Sequence, residues 1–172
     1  MQLITPTPEH LPALSELAAR TFSETFGHLY PPEDLDAFLI KSYAVDALAA
    51  QVGDASQFWQ LAMDDDGQAL GYLHCGPVGL PHAEADPSSH GELKRIYVAS
   101  QAQGMGLGKQ LLKVSVDWMA ATYGNAPQWI GVWSGNVKAQ TLYQSHGFER
   151  VGEYKFAVGK TLDDEFILRR RP

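Results

Sequence analysis

Between an apolar stretch, Leu93 to Val98, and an amphipathic one, Leu107 to Tyr123, the chain reads Gln103-Gly104-Met105-Gly106-Leu107-Gly108. Three glycines at alternate positions uncover several backbone N–H groups beside the positive end of a helix dipole. That arrangement fits a phosphate or pyrophosphate. The spacing is G-x-G-x-G, so it fails the dinucleotide pattern G-x-G-x-x-G. It also fails the Walker pattern, which needs glycine at 103 and Ser or Thr at 110, where this chain has Gln103 and Gln110. A tight strand-to-helix turn without a ligand is the competing account.

The surrounding pattern sets the expected architecture. Gln2-Leu3-Ile4 reads as a short first strand, and Thr7 with Pro8 as a helix start. Leu11, Leu14, Leu17 and Ala18 then form an apolar helix face, with Pro12 near its beginning. Leu35, Phe38 and Leu39 recur at helical spacing, and a further short helix follows through Leu48. Gln57 to Ala62 and Ala69 to Leu73 read as strands joined by the hairpin turn Asp64-Asp65-Asp66-Gly67. Pro77 to His90 has no period and reads as a loop. Strands are expected at Leu93–Val98, Trp129–Trp133, Val151–Val158 and Glu165–Leu168. Helices are expected at Leu107–Tyr123 and Val137–His146, the latter capped by Gly147. Hairpins first and a strand–helix–strand crossover later imply an α/β (mixed α+β) fold. Its centre is a mixed, twisted sheet of about six to seven strands flanked by helices on both faces.

At 172 residues, 45% apolar and 19% charged, the chain is sized for one domain over 1–172 with its own core. No apolar run approaches the roughly 18–20 residues of a membrane helix, and the N-terminal residues carry no secretion signal. One cysteine, Cys75, leaves no disulfide framework and no multi-thiolate zinc site. A cytoplasmic protein is expected, and Cys75, in an apolar strand, reads as an inert buried thiol. The net charge of −7, from 13 basic and 20 acidic residues, disfavours nucleic acid and favours small cations. Arg169-Arg170-Arg171 reads as a solvated tail after the last strand.

Glu92-Leu-Lys-Arg-Ile-Tyr-Val98 followed by Gln103-x-x-Gly106-x-Gly108 resembles the acetyl-CoA motif of the GCN5-related N-acetyltransferases (GNAT), written Arg/Gln-x-x-Gly-x-Gly/Ala. Trp129-Ile-Gly-Val-Trp133, Asn136, Ala139, Tyr143 and Gly147-Phe148 resemble the family's next strand and helix. Leu93 to Phe166, with Thr21-Phe22 and Thr25-Phe26, further resembles bacterial polyamine acetyltransferases of the spermidine/spermine type. Those relatives carry lysine just after the tyrosine, whereas Gln144 and Ser145 stand here.

The resemblance implies acetyl-CoA as cosubstrate and no metal. It runs the pantetheine arm beside Ile96, Tyr97 and Val98. It places the pyrophosphate on the backbone of Gln103, Gly104, Met105, Gly106, Leu107, Gly108 and Lys109. Asn136 and Ala139 match further cofactor contacts, although an N-cap explains Asn136 equally. Tyr143 matches the tyrosine that faces the thioester sulfur. A phenol, with pKa about 10, can protonate a departing thiolate. Asn136, Gln140 and Tyr143 fall on one helix face. Glu92 is the candidate base for the acceptor amine, and an exposed strand-start glutamate beside Lys94 is its alternative. His74 and His90 are rival bases. Phe22, Phe26, Tyr30 and Trp59 are candidate walls of an acceptor groove, against a core reading for most of them. His82, Glu84, Asp86 and His90 read as a solvated loop and not as a metal site.

Together these imply acetyl transfer to a primary amine by direct attack in a ternary complex, with a polyamine or other small amine as acceptor. Two alternatives stay open: an acetyltransferase of protein N-termini or lysines, and a non-catalytic acyl-CoA sensor. The sequence fixes no oligomeric state, so a homodimer stays open too.

Overall fold

A computed structural model describes residues 1–172. A seven-stranded mixed sheet runs in the order β1-β2-β3-β4-β5-β7-β6. Its strands are β1 (Gln2–Ile4), β2 (Phe58–Met63), β3 (Ala69–Pro77), β4 (Gly91–Val98), β5 (Gln128–Trp133), β6 (Glu149–Val158) and β7 (Thr161–Arg170). Helices α1 (Leu11–Phe26), α2 (Pro32–Tyr43) and α3 (Val45–Val52) precede β2. Helix α4 (Leu107–Tyr123) links β4 to β5, and α5 (Val137–Gln144) links β5 to β6.

Thr7 and Pro8 do begin a helical turn, but it is a short 3₁₀ segment, Pro8–His10, in which the Thr7 N–H is held by His10 Nδ1 at 3.2 Å. Pro12 is harmless because it lies in the first turn of α1, where its missing N–H has no helical partner to lose. Leu14, Leu17 and Ala18 of α1, Tyr43 of α2 and Leu48 of α3 pack on Trp59, Leu61 and Tyr72 of the sheet. On the opposite face Leu107, Leu111, Leu112 and Met119 of α4 and Tyr143 of α5 pack on Leu73, Cys75, Leu93, Ile130 and Val132. The sheet therefore carries a separate large core on each face, and a third, smaller cluster gathers Val78, Leu80, Trp129 and Ile167. No helix is long and apolar enough to cross a membrane.

The central pair positions everything that follows. β4 and β5 run parallel, but only Gly91–Gln128, Glu92–Trp129 and Leu93–Ile130 are in register. Beyond Leu93 the two strands part. β4 stays paired with β3 as far as Val98, and β5 stays paired with β7 as far as Trp133, so the sheet splits into a V along its middle.

Two expectations are corrected. β3 continues past Leu73 to Pro77 because β4 goes on pairing with it across a bulge at His74/Cys75. Arg169 and Arg170 are not a solvated tail but the end of β7. Arg169 lies over the Trp129 ring and pairs with Glu84 at 2.6 Å, while Arg170 donates to Gln128 Oε1 at 3.0 Å.

Candidate active site

One rim of the V is the glycine segment. Gly104 and Gly106 have φ of +82° and +84°, and a Cβ at either would meet nothing within 4 Å. The left-handed backbone, not crowding, is what requires glycine there. Gly106 is the N-cap of α4, and Gln110 N–H is the first to bond back, to the Gly106 carbonyl at 3.1 Å. From Gly104 to Lys109 the N–H groups have no acceptor within the chain. They converge on the positive end of a seventeen-residue helix. Leu107 contributes only its N–H, since its side chain is 1% exposed in the core, whereas Met105 and Lys109 are exposed. Gln103 donates to the Val98 carbonyl at 3.2 Å and accepts Lys138 Nζ at 3.0 Å, tying this loop to the end of β4 and to α5.

Where the strands part, a cavity of about 600 Å³ opens. Ile96 and Tyr97 of β4 and Asn136 and Tyr143 line it, while Phe22, Phe26 and Tyr30 form its outer wall. Tyr143 is buried, and burial alone raises its phenol above the ordinary value, so it keeps its proton throughout the physiological range. Asn136 Oδ1 accepts the Ala139 N–H at 3.1 Å and so caps α5. Glu92 also lines the cavity. It is buried, with Oε2 receiving the Gly79 N–H at 2.7 Å and Lys94 Nζ at 3.3 Å. The far wall comes from β6 and β7, where Tyr30 donates to Asp163 and Tyr154 donates to Glu165.

These parts meet as a family pattern. Residues 11–148 match the model of the Acetyltransferase (GNAT) family, which is well over half the chain. The chain belongs to the GNAT acetyltransferases. An N-acetyltransferase of Lactobacillus delbrueckii subsp. lactis is 29% identical over 170 residues, 99% of this chain and 96% of that one. The spermine/spermidine N(1)-acetyltransferase of Bacillus subtilis is 33% identical over 73 residues, 42% of this chain and 48% of that protein. Among solved structures, PaiA N-acetyltransferase from Thermoplasma acidophilum in complex with coenzyme A superposes with TM-score 0.78 at 18% identity, covering 99% of this chain and 98% of that one. The ribosomal-protein-alanine N-acetyltransferase of Brucella melitensis superposes with TM-score 0.69 at 22% identity over the whole of both chains.

This acetyltransferase brings together most of the residues singled out in its sequence, and sorts the rest. Trp59 is not a groove wall; it is 2% exposed and stacks on His74 with ring centroids 3.9 Å apart. His74 is no base at the cavity, because burial holds its imidazole down at about 2 and its Nε2 is bonded to Gln57 Oε1. His90 is engaged elsewhere, its Nδ1 accepting the Asp86 N–H and the Trp129 indole N–H, each at 3.2 Å. Gln140 does not line the cavity; its amide donates to the carbonyls of Trp133 and Ser134. Ala139 packs in the core beneath α5, and its N–H is already held by Asn136. Glu92 is not an exposed strand-start residue, although its neighbour Lys94 is beside it as anticipated. In the loop 78–90, Glu84 is held by Arg169 and Arg171, and Asp86 by Ser88 and Ser89. Cys75 is fully buried, and burial pushes its thiol up, away from the reactive thiolate. Sequence reasoning missed Asp163, Glu165 and Tyr154. Tyr154 and Glu165 read only as strand residues and Asp163 fell between the two expected strands, because β7 begins at Thr161; their place at the cavity depends on the register of β6 and β7.

Proposed function

We propose that residues 1–172 form one domain that transfers the acetyl group of acetyl-CoA directly to a primary amine, and that the amine is a polyamine or similar small alkylamine. The observation that carries this reading is the V between β4 and β5, with Tyr143 and the unpaired carboxylates Asp163 and Glu165 on the wall of the cavity it opens. A pantetheine-like arm needs ladder partners, and β4 beyond Leu93 has a free edge to supply them. The pyrophosphate needs donors, and the N–H groups of Gly104 to Lys109 are free to act. The coenzyme A bound by the Thermoplasma protein of the same fold supports this assignment.

The residues then have defined tasks. Ile96, Tyr97 and Val98 hold the arm along β4, and an N–H near Val98 faces the oxygen that gains charge as the amine attacks. Tyr143 gives its proton to the leaving sulfur. The amine must first lose a proton. With an alkylamine pKa near 10.4, that costs roughly 4–5 kcal/mol at neutral pH unless a carboxylate accepts it. Glu92, beside Lys94, lies at the closed end of the V, where β4 and β5 are still paired. The cavity also carries Lys41, Lys94 and Arg95, but Asp163 and Glu165 are in no ion pair and give the β7 wall the negative charge that suits an ammonium group, while Phe22, Phe26 and Tyr30 suit its alkyl stem. The partial likeness to the Bacillus spermine/spermidine enzyme supports the same acceptor class.

The test is thiol release from acetyl-CoA with spermidine, spermine, simple monoamines, a lysine peptide and a peptide with a free N-terminus. Turnover that favours the polyamines supports the reading. Preference for either peptide transfers the function to protein acetylation, and coenzyme A binding without turnover on any amine reduces the protein to a sensor.

A further inference from the structure

Glu165 of β7 is placed between Trp133 of β5 and Tyr154 of β6 in the register of the sheet. Its Oε2 receives the Tyr154 hydroxyl, and its Oε1 has no partner in the chain. Directly beside it, Gly131 is the first β5 residue past the point where β4 and β5 part. A Cβ on Gly131 would come within 2.8 Å of the Tyr154 hydroxyl and 3.3 Å of Glu165 Oε2. The missing side chain at Gly131 therefore opens the room in which the Tyr154–Glu165 pair sits, at the apex of the V and on the cavity wall.

We propose that Glu165, oriented by Tyr154, takes the proton from the attacking amine. The proposal rests on the acetyl-transfer reading and adds the identity of the base. Glu92 is less suited to that step: one of its oxygens already serves the Gly79 N–H and Lys94 Nζ, and protonation would disrupt the ion pair. Glu165 is in no ion pair, the ion pairs of the molecule all lying elsewhere. The groups facing it are Tyr154 of β6, Asp163 of its own strand, Glu92 and Tyr97 of β4, and Tyr30 before α2. None of them is a cation; of the cavity's three cations, Lys94 is paired with Glu92, Arg95 donates to Gln51 Oε1 and lies over the Tyr43 ring, and Lys41 forms no ion pair with Glu165. Burial first, and then the charges of Asp163 and Glu92, raise the Glu165 carboxyl above the ordinary value, while the Tyr154 hydrogen bond opposes them. A carboxylate so raised is a stronger proton acceptor near neutral pH.

The protons balance. The ammonium gives one proton to Glu165, and the neutral nitrogen forms the new C–N bond as the C–S bond breaks. Tyr143 protonates the leaving sulfur and recovers its proton from the acylated nitrogen. Glu165 then releases its proton to water, so acetyl-CoA and an alkylammonium yield the N-acetylamine, the free thiol and one proton.

The experiment compares wild type, Glu165→Gln and Tyr154→Phe by kcat/KM for the preferred amine from pH 6 to 10, with acetyl-CoA affinity by calorimetry and folding by circular dichroism. Glu165→Gln is expected to lose about 10²-fold in kcat/KM at pH 7 while binding acetyl-CoA normally. The deficit should narrow as pH approaches the amine pKa, where solvent supplies the free base. Tyr154→Phe removes the bond that holds the Glu165 carboxyl down, so the acid limb of its profile should move to higher pH. A folded Glu165→Gln within threefold of wild type at pH 7, or an unmoved limb in Tyr154→Phe, overturns the assignment. If Glu165→Gln does not fold, Tyr154→Phe alone decides. Loss of activity in Tyr143→Phe with none in Glu165→Gln removes the base and leaves the acetyltransferase reading intact, whereas a wild type inert toward every amine removes both.

Discussion

The two sides of the V are built from different materials. On the α4 side, the recognition we propose is a property of backbone: left-handed glycines, a helix N-terminus and the free edge of β4. On the α1–α2 side it is a property of side chains gathered from distant points of the chain, with Tyr30 meeting Asp163 across 133 residues and Glu92 facing β7. Backbone recognition tolerates many side chains but few backbone conformations. Side-chain recognition permits the reverse. The α4 side is thus suited to one invariant ligand, and the opposite wall to an acceptor that can differ between relatives of the same fold.

Substitutions on the two sides should break in correspondingly different ways. The largest effect belongs to Tyr143, which stands between them. Tyr143→Phe keeps the ring and removes the proton, so kcat should fall by at least about 10²-fold when sulfur departure limits the rate, with acetyl-CoA affinity little changed. Stopped-flow thiol release and calorimetry measure the two quantities. Next comes the backbone side. Gly106→Val forces a β-branched residue to a φ of +84°, where strain of roughly 1–3 kcal/mol is expected, and sets its side chain among the N–H donors. The dissociation constant for coenzyme A should rise about tenfold or more, while KM for the amine in any residual turnover stays near wild type. Equal damage to both ligands would end the division between the two sides.

On the side-chain wall, Tyr30→Phe removes the donor to Asp163 without emptying the wall. It should raise KM for the amine severalfold and leave coenzyme A binding unchanged, as steady-state titrations of each ligand would show. The smallest effect is electrostatic. Attraction between an enzyme of net charge −7 and a polyamine is screened beyond about 8–10 Å at physiological salt, so kcat/KM should fall a few-fold between low and high ionic strength at little change in kcat. A salt response equal for spermidine and for an uncharged-stem monoamine would place the attraction outside the acidic wall.

The same division explains what could be read from the sequence. The glycine segment is contiguous, and its conformation follows from residues within a few positions, so α4 from Leu107 to Tyr123 and the left-handed turn before it were legible. Tyr143 and Asn136 were legible for the same reason, both lying on one short helix and its cap. The acidic wall was not. Glu165 reaches the cavity only because β7 inserts between β5 and β6, and its meeting with Tyr154 depends on a register shift between Arg150 and Gly152. Local alternation says that such residues are in strands, but not which strands flank them. Glu92 was legible as a candidate, yet its ion pair with Lys94 and its bond from Gly79 came from a bulge and a loop. Arg169 and Arg170 misled because a charged run usually marks a solvated end, whereas here Trp129, Glu84 and Gln128 give each charge a place on the last strand.

The parallel contact between β4 and β5 amounts to three register pairs, yet it is the only direct seam joining the β1–β4 half of the sheet to the β5–β7 half. Beyond that seam the two halves are held by the core beneath α4, which packs Leu73 and Leu93 against Ile130 and Val132. Within Ile96 to Val98 and Gly131 to Trp133, the amides that face the gap should exchange faster in the empty protein than those turned toward β3 and β7. A ligand lying along the gap would act as a splint between the arms, so slow exchange at those amides would report occupancy of the gap even when no acceptor is present.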